Sequence, residues 1–318
     1  MTTKTVQPST SVQPATPLTS DRKRLWLAAI KPPMYSVAIM PIWVGSAIAA
    51  HATGQFHFGI FTLFLTAAIL ILAWENLSND VFDSETGVDV NKTHSLVNLT
   101  GNQRLIFWIG NFCLMAGLLG IAAIAAIQQD FTVIGLILLC CGLGYLYQGP
   151  PFRLGYYGLG EILCFFAFGP IGFAAAYYSQ AQAWAEPGAN LAASVIVGIS
   201  TSLVLFCSHF HQVEDDAAVG KRSPIVRLGT ERGAQVLTWF SVSIYGLTGV
   251  FTGLQLFPVW TLLVFASLPA AIKLIRHVNT HHDDPDRISN SKFVAIEMHF
   301  WSGLLLGLGF LLPGLIGA

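Results

Sequence analysis

The sequence predicts an all-α polytopic membrane protein, a bundle of nine transmembrane helices, and three observations carry that expectation. Of 318 residues 53% are hydrophobic and only 10% charged, where a soluble domain carries about 25% charged residues; the mean hydropathy is +0.60. The apolar residues come in runs close to the ~20 that a helix needs to cross hydrocarbon, whereas a barrel would show short alternating stretches. All sixteen Lys and Arg residues fall on one side of the topology those runs define. No β-strand is expected, because backbone facing lipid must satisfy itself within a helix or a closed barrel.

In chain order, residues 1–24 open with "MTTKTVQPSTSVQPATPLTS", a Ser/Thr/Pro-rich stretch without an apolar core. It reads as a disordered tail, not a signal peptide, and residues 25–318 form the membrane domain. The candidate spans are roughly 34–52, 58–78, 105–128, 131–148, 160–179, 190–212, 235–256, 258–276 and 294–316. The odd links ("HATGQFH", "QQD", "SQAQAWAEPGAN", "LQLFP") are short and hold no Lys or Arg. The even links, at 79–104, 148–160, 209–234 and 277–293, are longer and polar. The positive-inside rule makes the even links and the amino-terminus cytoplasmic. The net charge of -1 argues neither way about nucleic acid, but the lack of a basic tract interleaved with aromatics argues against such a partner. The five cysteines lie in apolar segments without zinc-ligand or disulfide spacing.

The chemistry concentrates where spans end on the basic side. "WENLSNDVFDSETGVD" (74–89) packs Glu75, Asp80, Asp83, Glu85 and Asp89 behind the second span. If that helix runs on by a turn or two, Asn76, Asp80 and Asp83 share one face at i, i+4 and i+7. Carboxylates crowded at a membrane edge repel unless a cation neutralises them, and hard oxygen ligands suit Mg²⁺, which keeps waters and commonly bridges to substrate phosphates. "HFHQVEDDAAVGKRS" (209–223) closes the sixth span, with His209, Gln212 and Asp216 at i, i+3 and i+7, Asp215 and Glu214 pointing elsewhere, and Lys221 and Arg222 following. A third stretch, "YLYQGPPFRLGYYGLGE" (145–161), offers Arg153 as a phosphate contact, or as an interfacial anchor among Tyr145, Tyr147, Tyr156 and Tyr157. Glu297 and His299 in the last span read as structural.

One acidic helix end alone would simply face water. Two on the same side, with cations nearby, describe a cradle for a diphosphate whose apolar tail lies in the membrane. A transporter is the competing class, but its carboxylates typically lie near mid-membrane, and here the centres of the spans are almost uncharged.

At these residues the chain resembles the UbiA superfamily of intramembrane aromatic prenyltransferases. "NDVFD" (79–83), beginning at Asn79, matches the NDxxD signature, and nine spans with acid-rich stretches after the second and sixth extend the match over nearly the whole chain. Gly87 stands where the family's NDxxDxxxD form has its last Asp, with Asp89 two residues on. That variant, with "GPPFRLGYYGLGE" and "GKRSPIVRLGT", is similar to the MenA-type branch, and "HFHQVEDD", with Gln212 in place of an Asp, to its cyanobacterial and plant phytyltransferases. The resemblance implies Mg²⁺ held by Asn76, Asp80, Asp83 and Asp216, more weakly by Gln212, and a donor diphosphate bound by Lys92, Arg153, Lys221 and Arg222. It implies a prenyl diphosphate, phytyl rather than longer, as donor and 1,4-dihydroxy-2-naphthoate or its quinone form as acceptor. Homogentisate, 4-hydroxybenzoate or a tetrapyrrole is the alternative acceptor. The lipid bilayer is the setting, a cyanobacterial inner or thylakoid membrane with the site facing the cytoplasm.

Overall fold

The computed structural model describes residues 32–87 and 95–316. The amino-terminal tail, Asp89 and Lys92 lie outside the described residues. Every regular element among those described is helical. The long helices are α1 (Ser36–Thr53), α2 (Phe58–Thr86), α3 (Gln103–Gln128), α4 (Thr132–Gln148), α5 (Gly160–Ala181), α6 (Pro187–Ser208), α7 (Thr230–Gly253), α8 (Val259–His281) and α9 (Ser291–Ile316). Eight segments are long and apolar enough to cross a membrane. The fourth expected span, α4, is an apolar helix of 17 residues, at the short end of the range that reaches across ~30 Å of hydrocarbon.

The helices are not equivalent. In α1 and α6, 67% of the apolar window is buried, against 22% in α2 and α3, so α1 and α6 are the central posts and the others wrap them. One core joins α1 and α6 to α7, α8 and α9 through Val44, Phe173, Ile196, Leu237, Leu274 and Phe310. A second, around Ile42, Phe64, Ile121, Ile124 and Ile137, joins α1 to α2, α3, α4 and α5. The outer faces stay apolar: Phe112, Leu119, Trp239 and Leu191 are all at least 60% exposed. A contiguous apolar exterior of this kind marks a lipid-facing surface, and the chain is an integral membrane protein.

Prolines fall where the backbone can accommodate them. Pro269 sits in the first turn of Leu268–His281, where a missing N–H costs nothing. Pro170 interrupts α5, where Ala167–Ile171 forms a π-turn with Gly169 off the helical geometry (φ -84, ψ -114). The first nine residues of α8 wind as a 3₁₀ helix, whose rise of about 2.0 Å per residue lengthens the span.

Candidate functional site

The second span is longer than its apolar run. α2 continues to Thr86, eight residues past the expected end, so Asn76, Asp80 and Asp83 do share one helical face. Asp80 and Asp83 are buried, at 2% and 6% exposure. Asp80 Oδ2 accepts the Leu96 N–H at 2.9 Å, satisfying one of the unpaired donors at the start of the short helix Leu96–Thr100. Asp83 Oδ2 accepts from Gln148 Nε2 at 3.3 Å, a buried contact from the end of α4. The Asn76 amide nitrogen is buried without a hydrogen-bond partner among the described residues. Asn79 points to the other side and lines the cavity described below. Gly87 ends the helix at φ 79, a left-handed conformation that suits glycine; an Asp at this position would be strained.

The second cluster forms by a different route, which corrects the expected single helical face. α6 stops at Ser208, a 3₁₀ turn covers Phe210–Gln212, and a new helix runs Val213–Ala218. The break still brings His209 to Asp216, with Nδ1 3.1 Å from Oδ2. It turns Asp216 fully inward, while Glu214 and Asp215 are exposed. Lys221 Nζ lies 3.1 Å from Asp216 Oδ1, and both side chains are buried. The other His209 nitrogen lies 3.4 Å from Glu161 Oε1 at the start of α5. Glu161 therefore joins this cluster. Gln212 is half-buried in the 3₁₀ turn.

The link 149–159 ties the two clusters together through Tyr156. Its hydroxyl is 2.5 Å from Thr86 Oγ1 at the end of α2. Its carbonyl accepts the Arg222 N–H at 2.8 Å, and Lys221 Nζ stands 5.9 Å from the centre of its ring. Burial pushes the Tyr156 phenol up to about 12; the Thr86 contact pulls it down, and the charges of Asp83 and Asp216 both push it up. Tyr156 is thus where the fields of both clusters overlap, and it stays a neutral donor at working pH. Of the four tyrosines read as a belt, Tyr145 and Tyr157 are exposed as such, whereas Tyr147 and Tyr156 turn inward. Arg153 extends to Glu85, Nη2 to Oε2 at 3.1 Å, on the rim of the first cluster.

Beneath this polar layer lies an apolar cavity of about 210 Å³, walled by α1, α2, α4, α5 and α6, with Asn79 and Tyr147 where it meets the acids. Among the described residues, no group of three or more His, Cys, Asp or Glu side chains could by itself hold a metal ion. The donor set nevertheless fits Mg²⁺, which needs only one or two carboxylates once phosphate oxygens and waters complete its shell. Two buried carboxylates on one helical face, with the Asn76 side chain one turn below and its amide oxygen the atom able to ligate, would form such a partial shell. Glu297 and His299 lie elsewhere. Glu297 pairs with Lys273 at 2.6 Å on the surface, and the buried His299 bridges Ser200 Oγ and the Ser36 carbonyl.

A family model described as "UbiA prenyltransferase family" matches residues 38–316. The chain belongs to this family. A 2-carboxy-1,4-naphthoquinone phytyltransferase of Synechocystis sp. is 57% identical over 96% of this chain and 99% of its own length. A chloroplastic protein of the same name from Arabidopsis thaliana is 41% identical, covering 92% of this chain and 78% of the relative. The solved structure of a UbiA homolog from Archaeoglobus fulgidus, bound to DMAPP and Mg²⁺, superposes with a TM-score of 0.61 at 18% identity, over 88% of this chain and 98% of that one. At that identity the likeness concerns the fold, and it agrees with an intramembrane prenyltransferase bundle.

Proposed function

We propose that this chain is a phytyltransferase of quinone synthesis. It moves the phytyl group from phytyl diphosphate to 1,4-dihydroxy-2-naphthoate, with loss of the acceptor's carboxylate as CO₂. The observation that carries the reading is the layering of the site: buried carboxylates and Lys221 at the membrane edge, directly above an apolar cavity. A diphosphate with a long hydrocarbon tail is the ligand class that needs both layers at once. The phytyltransferase relatives, similar over almost their whole length, support the donor and the acceptor.

The geometry supports the following division of labour. Asn76, Asp80 and Asp83, with Asp216 and Gln212 opposite, would hold Mg²⁺. The bound metal would offset the negative charge that grows on the diphosphate as the allylic carbon–oxygen bond breaks. Lys221, Arg222 and Arg153, with Lys92, supply fixed positive charge for the same oxygens. His209, held between Glu161 and Asp216, fixes the Asp216 carboxylate. Tyr147, Leu163, Phe168 and their neighbours in the cavity keep water from the allylic cation. The ring carbon bearing the carboxylate then bonds to the cation.

We place the site on the cytoplasmic face of an inner or thylakoid membrane, because every Lys and Arg lies on that side of the topology. Single cysteines at positions 54 and 150 should label from opposite sides; labelling from one side sinks that placement. The substrate reading is tested by offering equal amounts of phytyl, geranylgeranyl and solanesyl diphosphate with 1,4-dihydroxy-2-naphthoate. Phytyl product should dominate. A mainly solanesyl product would remove the phytyl preference, and no product with any donor would overturn the acceptor as well.

A further inference from the structure

The diphosphate cradle leaves one carboxylate of the opening motif unused. Glu75 sits on α2 one helical turn below Asn79, and its side chain lines the apolar cavity. It makes no hydrogen bond or ion pair among the described residues. Across the cavity, α4 makes room for it with a glycine. A Cβ built at Gly144 would meet the Glu75 carboxyl carbon at 3.1 Å, with one carboxylate oxygen closer still. The groups around the carboxylate are Cys141 of α4 and Cys164 of α5, which feel its charge, and Tyr147. Glu75 and Lys292 are the two charged residues among those lining the cavity. A carboxylate with no partner in an apolar, membrane-embedded cavity costs stability, and an ionisable residue at such a place marks a ligand contact.

The substrates decide which ligand. The isoprenoid tail has no hydrogen-bond donor, and the donor's diphosphate carries acceptor oxygens that belong with the cations of the cradle. The acceptor ring, by contrast, carries hydroxyl groups. We infer that Glu75 is the acceptor-binding residue of this enzyme, its carboxylate receiving a hydrogen bond from a ring hydroxyl of the hydroxynaphthoate inside the cavity beside α4. This inference rests on the reading of the chain as a naphthoate prenyltransferase and names the subsite that reading leaves open. The acceptor's own carboxylate has no hydrogen to give and so does not compete with the ring hydroxyl for Glu75. The ring is thereby oriented, with its hydroxyl toward α2 and α4. A hydroxyl-specific anchor discriminates strongly against analogues that lack the donor, because the buried acceptor group is then left unpaired.

The test pairs variants with acceptor analogues, using full-length protein in nanodiscs at saturating phytyl diphosphate. The acceptors are 1,4-dihydroxy-2-naphthoate and its two mono-O-methyl ethers. In the wild type, one ether should lose about tenfold to a hundredfold in kcat/KM, the range for one hydrogen bond to a charged group. Glu75→Leu should lose a similar factor on the dihydroxy acceptor through KM and should no longer distinguish that ether from the parent. Glu75→Gln, whose amide oxygen still accepts, should fall between. In both variants the KM for phytyl diphosphate should be unchanged, which also reports that the bundle is folded. The inference is overturned if Glu75→Leu keeps the wild-type acceptor KM, if it discriminates between the ethers as the wild type does, or if donor and acceptor KM rise together in both variants. A wild-type protein that transfers no phytyl group to the naphthoate instead overturns the underlying function. A wild type that does so while Glu75→Leu matches it overturns this inference alone.

Discussion

The ends of α2 and α6 that bear the two acidic clusters are built in different ways. α2 runs unbroken past its apolar stretch, so one helix delivers Asn76, Asp80 and Asp83 at fixed spacing, and amide donors from Leu96 and Gln148 steady the carboxylates. α6 stops, turns through Phe210–Gln212 and restarts, and its one inward carboxylate, Asp216, is clamped by Lys221 and His209. The first end is a rigid rail of carboxylate and amide side chains. The second is a charge pair whose position depends on a turn. A helix fixes spacing by its own hydrogen bonds, whereas a turn needs side-chain contacts to hold its geometry, and the buried Asp216–Lys221–His209 set provides them.

The largest effects should test the shared duty. Asp80→Ala, Asp83→Ala and Asp216→Ala should each lower phytyl transfer by about 10³-fold, the scale for losing a main electrostatic contact at the reacting charge. Chelation of divalent cations should do the same to the wild type and be reversed by added Mg²⁺. Near-normal turnover by any of the three variants at saturating Mg²⁺ would show that the two ends do not share one diphosphate.

The next effect should separate them. Lys221→Met strands Asp216 as a buried charge and should cost about 3 kcal/mol of stability, read as a lower melting temperature in detergent. Adding Asp216→Asn should restore much of that stability without restoring activity. If Lys221→Met melts like the wild type, the second end is not held by its ion pair. His209→Gln should slow turnover about tenfold through displacement of Asp216, an effect of about 1.4 kcal/mol, with donor KM rising less than in Lys221→Met; equal KM changes would contradict a purely orienting part.

Smaller effects belong to the rim. The Arg153–Glu85 pair is partly exposed, so Glu85→Ala should change stability by less than about 1 kcal/mol, and Arg153→Ala should show itself chiefly in the donor KM. Asp215→Ala, on the outward face of the restarted helix, should leave turnover within about twofold, in line with ordinary surface substitutions. A loss like that of Asp216→Ala would mean that the two acids are interchangeable.

Span order and the helical face at 76–83 could be read from the sequence because each follows a single period: apolar run length and 3.6 residues per turn. The extension of α2 was suggested by where its acids lie. The break after Ser208 was not readable, because "HFHQVEDD" contains no Gly or Pro and its local propensity is helical; tertiary contacts made by the buried Phe210 and Asp216 decide it. Tyr156 and Glu161 were missed for a related reason. Both join the site through partners more than forty residues away, Thr86, Arg222 and His209, and no local pattern encodes such pairing. The nearest signal was the placement of "FRLGYYGLGE" on the acid-rich side.

The exposed apolar belt and the cavity beneath the acids have a kinetic consequence. A tail that passes from bilayer hydrocarbon into a hydrocarbon cavity gains little from the roughly 0.8 kcal/mol per methylene that leaving water would provide. Affinity for the donor therefore rests on the headgroup, and the concentration that governs turnover is the mole fraction of donor in the surrounding lipid. Diluting the membrane phase with inert lipid at constant bulk donor should slow the enzyme, and rates plotted against surface mole fraction should fall on one curve.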